Sequence, residues 1–365
     1  MTPVKAVILA GGFGTRLRPL SCTRPKTLFP LVNKPLLEWI FERLAKNDVS
    51  EAILAVNKLT EFHIKQQRIA KSGLKVRYSH DPPKTPLGTA GPVKKAEKLI
   101  GHDAPFLVLN GDIFADLSYK ELFEKHKKKK AMATIALCKV EDPSRYGVAE
   151  MTQNERIERF IEKPPKGTAP SNLINAGVYV LNPEVLQLIP EGKAVSMERE
   201  IFPKLAQEQS LYGHLIQGMW MDIGKPEEYL QANKRILESI SKEQNGRRKS
   251  KYYLKSPVAI DKGVIIGDGS TIGPYAFLGK NVNVGKNAKI RDSVVFPDAM
   301  IEDYVSVEGA IIGEGAVIGR RTKIGEGCIV ADKARITEGV SLENETLVCP
   351  AKEITEKTLK SKIAS

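Results

Sequence analysis

The stretch IIGEGAVIGRRTKIGEGCIV, residues 311–330, repeats with a period that suits neither an α-helix nor an ordinary strand. Ile312, Ile318, Ile324 and Val330 stand six residues apart, and Gly313, Gly319 and Gly325 follow the first three directly. A 3.6-residue helix would carry such residues around its surface, whereas a three-sided solenoid turns the same position inward on every side. Toward the N-terminus the phase holds at Ile260, Ile266, Ile272, Leu278, Val284 and Ile290, each of the middle four followed by a residue that includes Gly267, Gly273, Gly279 and Gly285. It slips by one residue to Val295, Ile301 and Val307, slips again to Ile312, and runs on through Ile336, Leu342 and Val348. Sixteen in-phase positions predict a left-handed parallel β-helix of hexapeptide repeats over residues 258–365. An open solenoid end must be covered, so AKEITEKTLKSKIAS, residues 351–365, is expected to form a short capping helix.

Upstream, SISKEQNGRRKSKYYLKSP, residues 239–257, is polar and basic, and residues 241–257 are expected to link two domains. Residues 1–240 follow another grammar. VKAVILA (Val4 to Ala10), EAILAV (Glu51 to Val56), LKVRYS (Leu74 to Ser79), FLVLN (Phe106 to Asn110) and TIALCKV (Thr134 to Val140) read as strands. Leu36, Leu37, Ile40, Phe41 and Leu44 recur at helical spacing after Pro35, and Val93, Ala96, Leu99 and Ile100 do so after Pro92. This alternation predicts an α/β domain with a mainly parallel sheet, whose ligands bind beyond the carboxyl ends of the strands.

Composition narrows the partners. The 365 residues are 42% hydrophobic and 27% charged, ordinary globular proportions, and no run reaches the roughly 18 apolar residues of a membrane span. The opening MTPVKAVILAGGFG lacks an Arg-rich presequence or cleavage site, so a cytoplasmic protein is expected. Cys22, Cys138, Cys328 and Cys349 are scattered, which signals neither a zinc site nor a disulfide framework. A net charge of +13 favours anionic ligands. The clusters Lys125 to Lys130 and Arg247 to Lys255 read as solvated surface, because the first has no interleaved aromatics to stack bases; nucleic acid and membrane are not expected partners.

The segment AGGFGTRLRPLSCTRPKTLFPLVNKP, Ala10 to Pro35, follows the first strand directly. Glycines there let backbone N–H groups reach a phosphate or base, and Arg16 and Lys26 supply countercharge. Leu17 stands where a dinucleotide fingerprint needs its third glycine, and no GKS or GKT follows, so neither that fingerprint nor a Walker loop is present. A plain strand-to-helix turn would explain the glycines but not Arg16, Arg18, Arg24 and Lys26 in one loop.

Here the chain resembles the NDP-sugar pyrophosphorylases, the nucleotidyltransferases that make nucleoside-diphosphate sugars, whose signature is GGxGTRLxPLTxxxPKxLxPxxxKP. Ser21 departs from the usual Thr. The resemblance continues in order through PLGTAGP (Pro86 to Pro92), VLNGD (Val108 to Asp112), RYGV (Arg145 to Val148), FIEKP (Phe160 to Pro164), INAGVYVL (Ile174 to Leu181), SMEREIFP (Ser196 to Pro203) and WMDIGKPEEYL (Trp220 to Leu230). It implies a Rossmann-like nucleotidyltransferase domain over residues 1–240 and attack by a sugar 1-phosphate on the α-phosphorus of a nucleoside triphosphate. CKVEDPSRYGV and INAGVYVLNPEVL resemble the members that join GTP to mannose 1-phosphate more than the thymidylyl or uridylyl members.

By the same resemblance Asp112 and Asp222 hold Mg²⁺, Arg16 meets the departing phosphates, and Lys26 meets the α-phosphate. Gly11, Gly12, Gly14, Thr15, Gly88 and Thr89 border the nucleotide. Lys163 takes the sugar phosphate and Glu162 the sugar hydroxyls, with Asn175, Gly177 and Gly147 completing that pocket; Glu198 is a weaker candidate. Taken singly, an Asp is as readily a cap or turn acid, and Glu-Lys-Pro an exposed turn. His63, His80, His102, His126 and His214 all precede the linker, so the solenoid lacks the His base of hexapeptide acyltransferases. A structural role and subunit association into a homo-oligomer are expected of it. Related regulatory or scaffold proteins have lost catalysis; the joint presence of Arg16, Lys26, Asp112, Lys163 and Asp222 argues for an enzyme.

Overall fold

The computed structural model describes residues 4–12, 14–82, 86–241, 247–249, 251–355, 358–359 and 363–364. The chain forms two compact units, and each is drawn from two stretches of sequence. Met1–Gly12 and Leu36–Met221 make the first, Phe13–Pro35 and Asp222–Ser365 the second.

The first unit is built on a nine-stranded sheet. From one edge the order is Ile157–Glu162, Gly147–Met151, Leu173–Leu181, Phe106–Asn110, Val4–Leu9, Val49–Val56 and Lys75–His80, while Ala133–Lys139 pairs with Leu173–Leu181 and Leu211–Leu215 with Ala133–Lys139. The five expected strands are present within one or two residues at each end. Phe106–Asn110, Val4–Leu9, Val49–Val56 and Lys75–His80 run parallel, with Ile8 facing Leu54 on one side and Leu109 on the other. Every residue of Val49–Val56 except Ser50 is buried, as in a parallel strand covered on both faces. Beside this parallel core the sheet carries antiparallel strands: Leu173–Leu181 runs antiparallel to Phe106–Asn110, Ala133–Lys139 and Gly147–Met151. Such a pairing needs no crossover helix and leaves no periodic signal in sequence.

Leu36–Lys46 is helical and buries Leu36, Leu37, Ile40, Phe41 and Leu44, the stripe its spacing predicts. The helix expected after Pro92 is two short pieces, Gly91–Lys95 and Glu97–Ile100, and it ends at Gly101 with φ +79°. Val7, Ile53, Val108, Ile135, Tyr179 and Phe202 belong to one continuous core.

In the second unit three parallel sheets form the sides of a β-helix consistent with the left-handed form. Ile272 pairs with Ile290, Ile290 with Val307 and Val307 with Ile324, each one coil further on. From Ile272 onward every hexad residue is buried; Ile260 is 39% exposed and Ile266 half-buried because they lie in the first coil. The following glycines are needed for coil stacking: a Cβ on Gly313 would lie 2.5 Å from the Ala331 carbonyl carbon.

Two expectations change here. Among its described residues the terminal segment is not helical: Glu353–Ile354, Thr358–Leu359 and Ile363–Ala364 pair as strands with the preceding coil. Ile354 simply takes the next hexad step after Val348. Part of the stretch expected to be a linker is also solenoid. Arg247–Lys249 pairs antiparallel with Tyr252–Leu254, which joins Thr271–Ile272 in the first stacked side; residues 242–246 and 250 lie outside the described residues.

Candidate active site

The candidate residues fall in both units. In the second unit, Gly14 takes the left-handed backbone conformation, φ +57°, and opens a run of three short turns, Thr15–Leu17, Leu20–Cys22 and Lys26–Leu28. Leu17, Leu20 and Leu28 point inward and are buried, while Arg16 and Arg18 stay exposed. Ser21 Oγ donates to the Gly14 carbonyl at 2.7 Å, so the Thr-to-Ser departure keeps its hydroxyl in use. A Cβ on Gly14 would lie 3.5 Å from Lys26 Cγ, which puts the Lys26 stem against this turn. Lys26 is 8% exposed, deep burial for an ammonium group.

Asp222 is the last residue of Trp220–Asp222. A Cβ on Gly224 would lie 3.1 Å from both of its carboxylate oxygens and from Glu228 Oε2, so the absence of a side chain at Gly224 makes room for these acids. The helix Pro226–Ile240 belongs to the same unit. Asn233, fully buried, accepts from the Val32 N–H at 2.8 Å, and Lys234 pairs with Asp292 at 2.6 Å.

In the first unit, Gly11, Gly12, Asp112, Glu162 and Lys163 lie at or just beyond the carboxyl ends of strands, whereas Asn175 and Gly177 lie inside Leu173–Leu181 and Gly147 opens its strand. Asp112 lies two residues past the end of Phe106–Asn110 and is half-buried; the next strand, Ile113–Ala115, pairs with Trp220–Asp222. Gly11 and Gly12 follow Val4–Leu9. A Cβ on Gly11 would lie 2.8 Å from Asp81 Oδ2 and 3.6 Å from the Ala55 carbonyl oxygen. Asp81 was not among the sequence candidates, although it directly follows a strand and the carboxyl-end rule could have found it. Its Oδ1 is buried with no hydrogen-bond partner among the described residues, and burial pushes the carboxyl up to about 6.

Asn175 and Gly177 belong to one connected network, which Thr89 and Glu198 join. Asn175, 9% exposed, accepts from the Gly177 N–H at 2.8 Å and donates to Tyr179 Oη at 3.1 Å. Tyr179 Oη in turn lies 3.5 Å from Asn110 Oδ1 and from Glu198 Oε1. Burial, then the charge of Glu198, holds the Tyr179 phenol well above its usual range, so it remains a hydroxyl donor. Thr89 Oγ1 donates to Glu198 Oε2 at 2.5 Å and accepts from the Met197 N–H at 2.8 Å, while Ser196 Oγ reaches Glu198 Oε2 at 2.8 Å.

Glycines set the close approaches. Gly88 has φ +72°, and its Cβ would fall 2.2 Å from the Val195 carbonyl oxygen; Gly177 has φ +71°, and its Cβ would fall 2.3 Å from Ile113 Cδ1. A Cβ on Gly147 would meet Phe160 Cζ at 2.5 Å and Glu162 Oε2 at 3.0 Å. Lys163 adopts φ +49°, an uncommon conformation for a residue with a Cβ, and its ammonium pairs with Glu162 at 3.1 Å. Tyr179, Asn110, Ser196 and Trp220, whose indole N–H donates to the Ala176 carbonyl at 3.0 Å, are the members that motif reading passed over.

Comparison with known proteins identifies the family. A family model described as nucleotidyl transferase matches residues 5–239, and one described as the GMPPB C-terminal domain matches residues 254–364. A mannose-1-phosphate guanyltransferase of Yarrowia lipolytica is 44% identical over 243 residues, 66% of this chain and 66% of that protein. Mannose-1-phosphate guanylyltransferase 1 of Arabidopsis thaliana is 40% identical over 262 residues, 71% of this chain and 72% of that protein. The matched stretches thus span about two thirds of these relatives' length. Among solved structures, HddC from Yersinia pseudotuberculosis complexed with GMP-PN has a TM-score of 0.54 at 30% identity, covering 64% of this chain and 99% of that one. No helix among the described residues is long and apolar enough to cross a membrane. With its glycine-rich strand ends, its candidate residues and both matched regions, the chain belongs to the nucleotidyl transferase family.

Proposed function

We propose that this protein transfers guanylate from GTP to mannose 1-phosphate, giving GDP-mannose and pyrophosphate. The observation that carries the reading is the loop holding Lys26: a buried lysine whose stem lies against Gly14, with Arg16 exposed on the same run of turns. Guanylyl specificity is supported by relatives bearing the mannose-1-phosphate guanyltransferase name at 40–44% identity.

An oxygen of the sugar phosphate forms a bond to the α-phosphorus as the bond to the β-phosphate oxygen breaks, and pyrophosphate leaves with that electron pair. A phosphate monoester, with its second pKa near about 6, is already ionised at neutral pH, so no general base is needed. The protein's part is positioning and charge neutralisation. Lys26 offsets charge building on the α-phosphoryl oxygens, and Arg16 steadies the departing pyrophosphate. Lys163 holds the sugar phosphate. Glu162 accepts from sugar hydroxyls, and Asn175, fixed by Gly177 and Tyr179, orients the ring. The backbone at Gly11, Gly12, Gly14, Thr15, Gly88 and Thr89 lies along the nucleotide.

Asp112 and Asp222 offer half-buried carboxylate oxygens, the hard donors that suit a divalent ion such as Mg²⁺. When bound there, the ion would neutralise phosphate charge and polarise the α-phosphoryl group. A homo-oligomer formed through the β-helix is part of the same reading, supported by Ile260 and Ile265, 39% and 63% exposed on the first coil. Incubation with GTP, mannose 1-phosphate and Mg²⁺ should yield GDP-mannose and pyrophosphate in equal amounts by chromatography. A folded preparation that forms neither would sink the proposal.

A further inference from the structure

We infer that Asp332 is a positioning residue: from the β-helix it fixes the glycine-rich loop that carries Arg16 and Lys26. The inference rests on the reading of that loop as the phosphate-binding element.

Asp332 is 7% exposed, and among the described residues it is the solenoid's one buried charged side chain. The hexad pattern does not require it, since the corresponding coil positions Glu314, Arg320, Glu326 and Glu338 are not buried. Its two oxygens divide the work. Oδ1 accepts from the Glu314 N–H at 2.8 Å, which locks the carboxylate onto the neighbouring coil. Oδ2 accepts from Thr23 Oγ1 at 2.7 Å and lies 3.5 Å from Arg24 Nη2. Arg24, 9% exposed, also pairs with the Glu314 carboxylate, and its guanidinium lies 5.0 Å from the Phe296 ring centroid. A guanidinium so deeply withdrawn from water is tolerable only beside acids, so the coil decides where residues 23 and 24 can rest.

A second tether follows the lysine. Phe29 meets Phe296 edge-on at 6.0 Å, and Asn33 Nδ2 donates to the Leu278 carbonyl at 3.0 Å. Lys26 stands between these tethers, two residues from Arg24, and chain geometry allows at most about 7 Å between their Cα atoms. Slack in the first tether therefore passes directly to the Lys26 ammonium, and a displacement of about 1 Å at such a group can cost roughly a hundredfold in rate.

The test compares Asp332→Ala and Thr23→Val with the unsubstituted protein. The second variant removes one hydroxyl, which reaches Asp332 at 2.7 Å and the Leu20 carbonyl of its own loop at 3.2 Å, and leaves no buried charge unpaired, so it keeps the test open if the first fails to fold. Amide exchange across residues 14–35 should quicken in both, while exchange in the coils from residue 271 to 354 stays as it was, apart from the Glu314 amide that loses its acceptor in Asp332→Ala. Turnover with GTP and mannose 1-phosphate should fall about tenfold in Asp332→Ala and about threefold in Thr23→Val, with KM for mannose 1-phosphate unchanged. Unchanged loop exchange in Thr23→Val, or faster exchange with unchanged turnover, would overturn the positioning role. Absence of turnover in the unsubstituted protein would overturn the reading of the loop instead, and exchange alone would then decide whether the tether exists.

Discussion

Lys26 and Asp81 show two ways a buried charge can matter. Lys26 sits at 8% exposure against a glycine turn, where under the proposed reaction its charge would serve the transferring phosphoryl group far better than it would in water. Lys26→Ala should lower turnover by about a hundredfold, close to 3 kcal/mol, measured as pyrophosphate release at saturating substrates. Asp81 is different, because burial holds its carboxyl up at about 6 against an ordinary value of 3.8. The folded state therefore holds that proton more tightly than the unfolded chain. Stability falls as pH rises from about 4 to 6, and the cost is fully present above that window. Asp81→Asn should raise the melting temperature at pH 7.5, and the two proteins should melt closer together at pH 4; an equal shift at both pH values would contradict this. Residue-level reading identified Lys26 through its signature position and missed Asp81. A lone acid after a strand is common, and only the folded arrangement shows that it is half-buried beside Gly11 with one carboxylate oxygen withdrawn from water.

Elements with a strict period were legible, and those defined by pairing partners were not. Hexad residues and strands such as Phe106–Asn110 announce themselves, since burial on a fixed face constrains every residue of the pattern. The antiparallel course of Leu173–Leu181 and the hairpin formed by Arg247–Lys249 and Tyr252–Leu254 depend on which neighbours accept their backbone bonds, and sequence spacing is silent on that. The terminal coil was misjudged for a further reason: its Lys and Glu content suits a helix surface, yet Ile354 keeps the hexad phase and is buried. Within a solenoid each coil touches only its neighbours. Ile318→Ala, at a fully buried hexad position, should cost about 2–5 kcal/mol in denaturant unfolding, and Gly177→Ala should also destabilise because its Cβ would meet Ile113.

At the scale of the whole molecule, the division of labour does not follow the order of the chain. Phe13–Pro35, with Arg16 and Lys26, and Asp222 belong with the β-helix, whereas Asp112, Lys163 and Asn175 belong to the sheet unit. This grouping includes long-range contacts such as Thr23 with Asp332 and Val32 with Asn233, which no boundary along the sequence expresses. Association through the solenoid predicts a light-scattering mass above the 40.3 kDa of one chain, and that monomer mass at every working concentration would exclude it. The central claim is the reaction itself. Its most direct test is pyrophosphate release with Mg²⁺, crossing GTP, dTTP, UTP, CTP and ATP against mannose 1-phosphate and glucose 1-phosphate. The account predicts the highest kcat/KM for GTP with mannose 1-phosphate; no release with any pair from folded protein would contradict it.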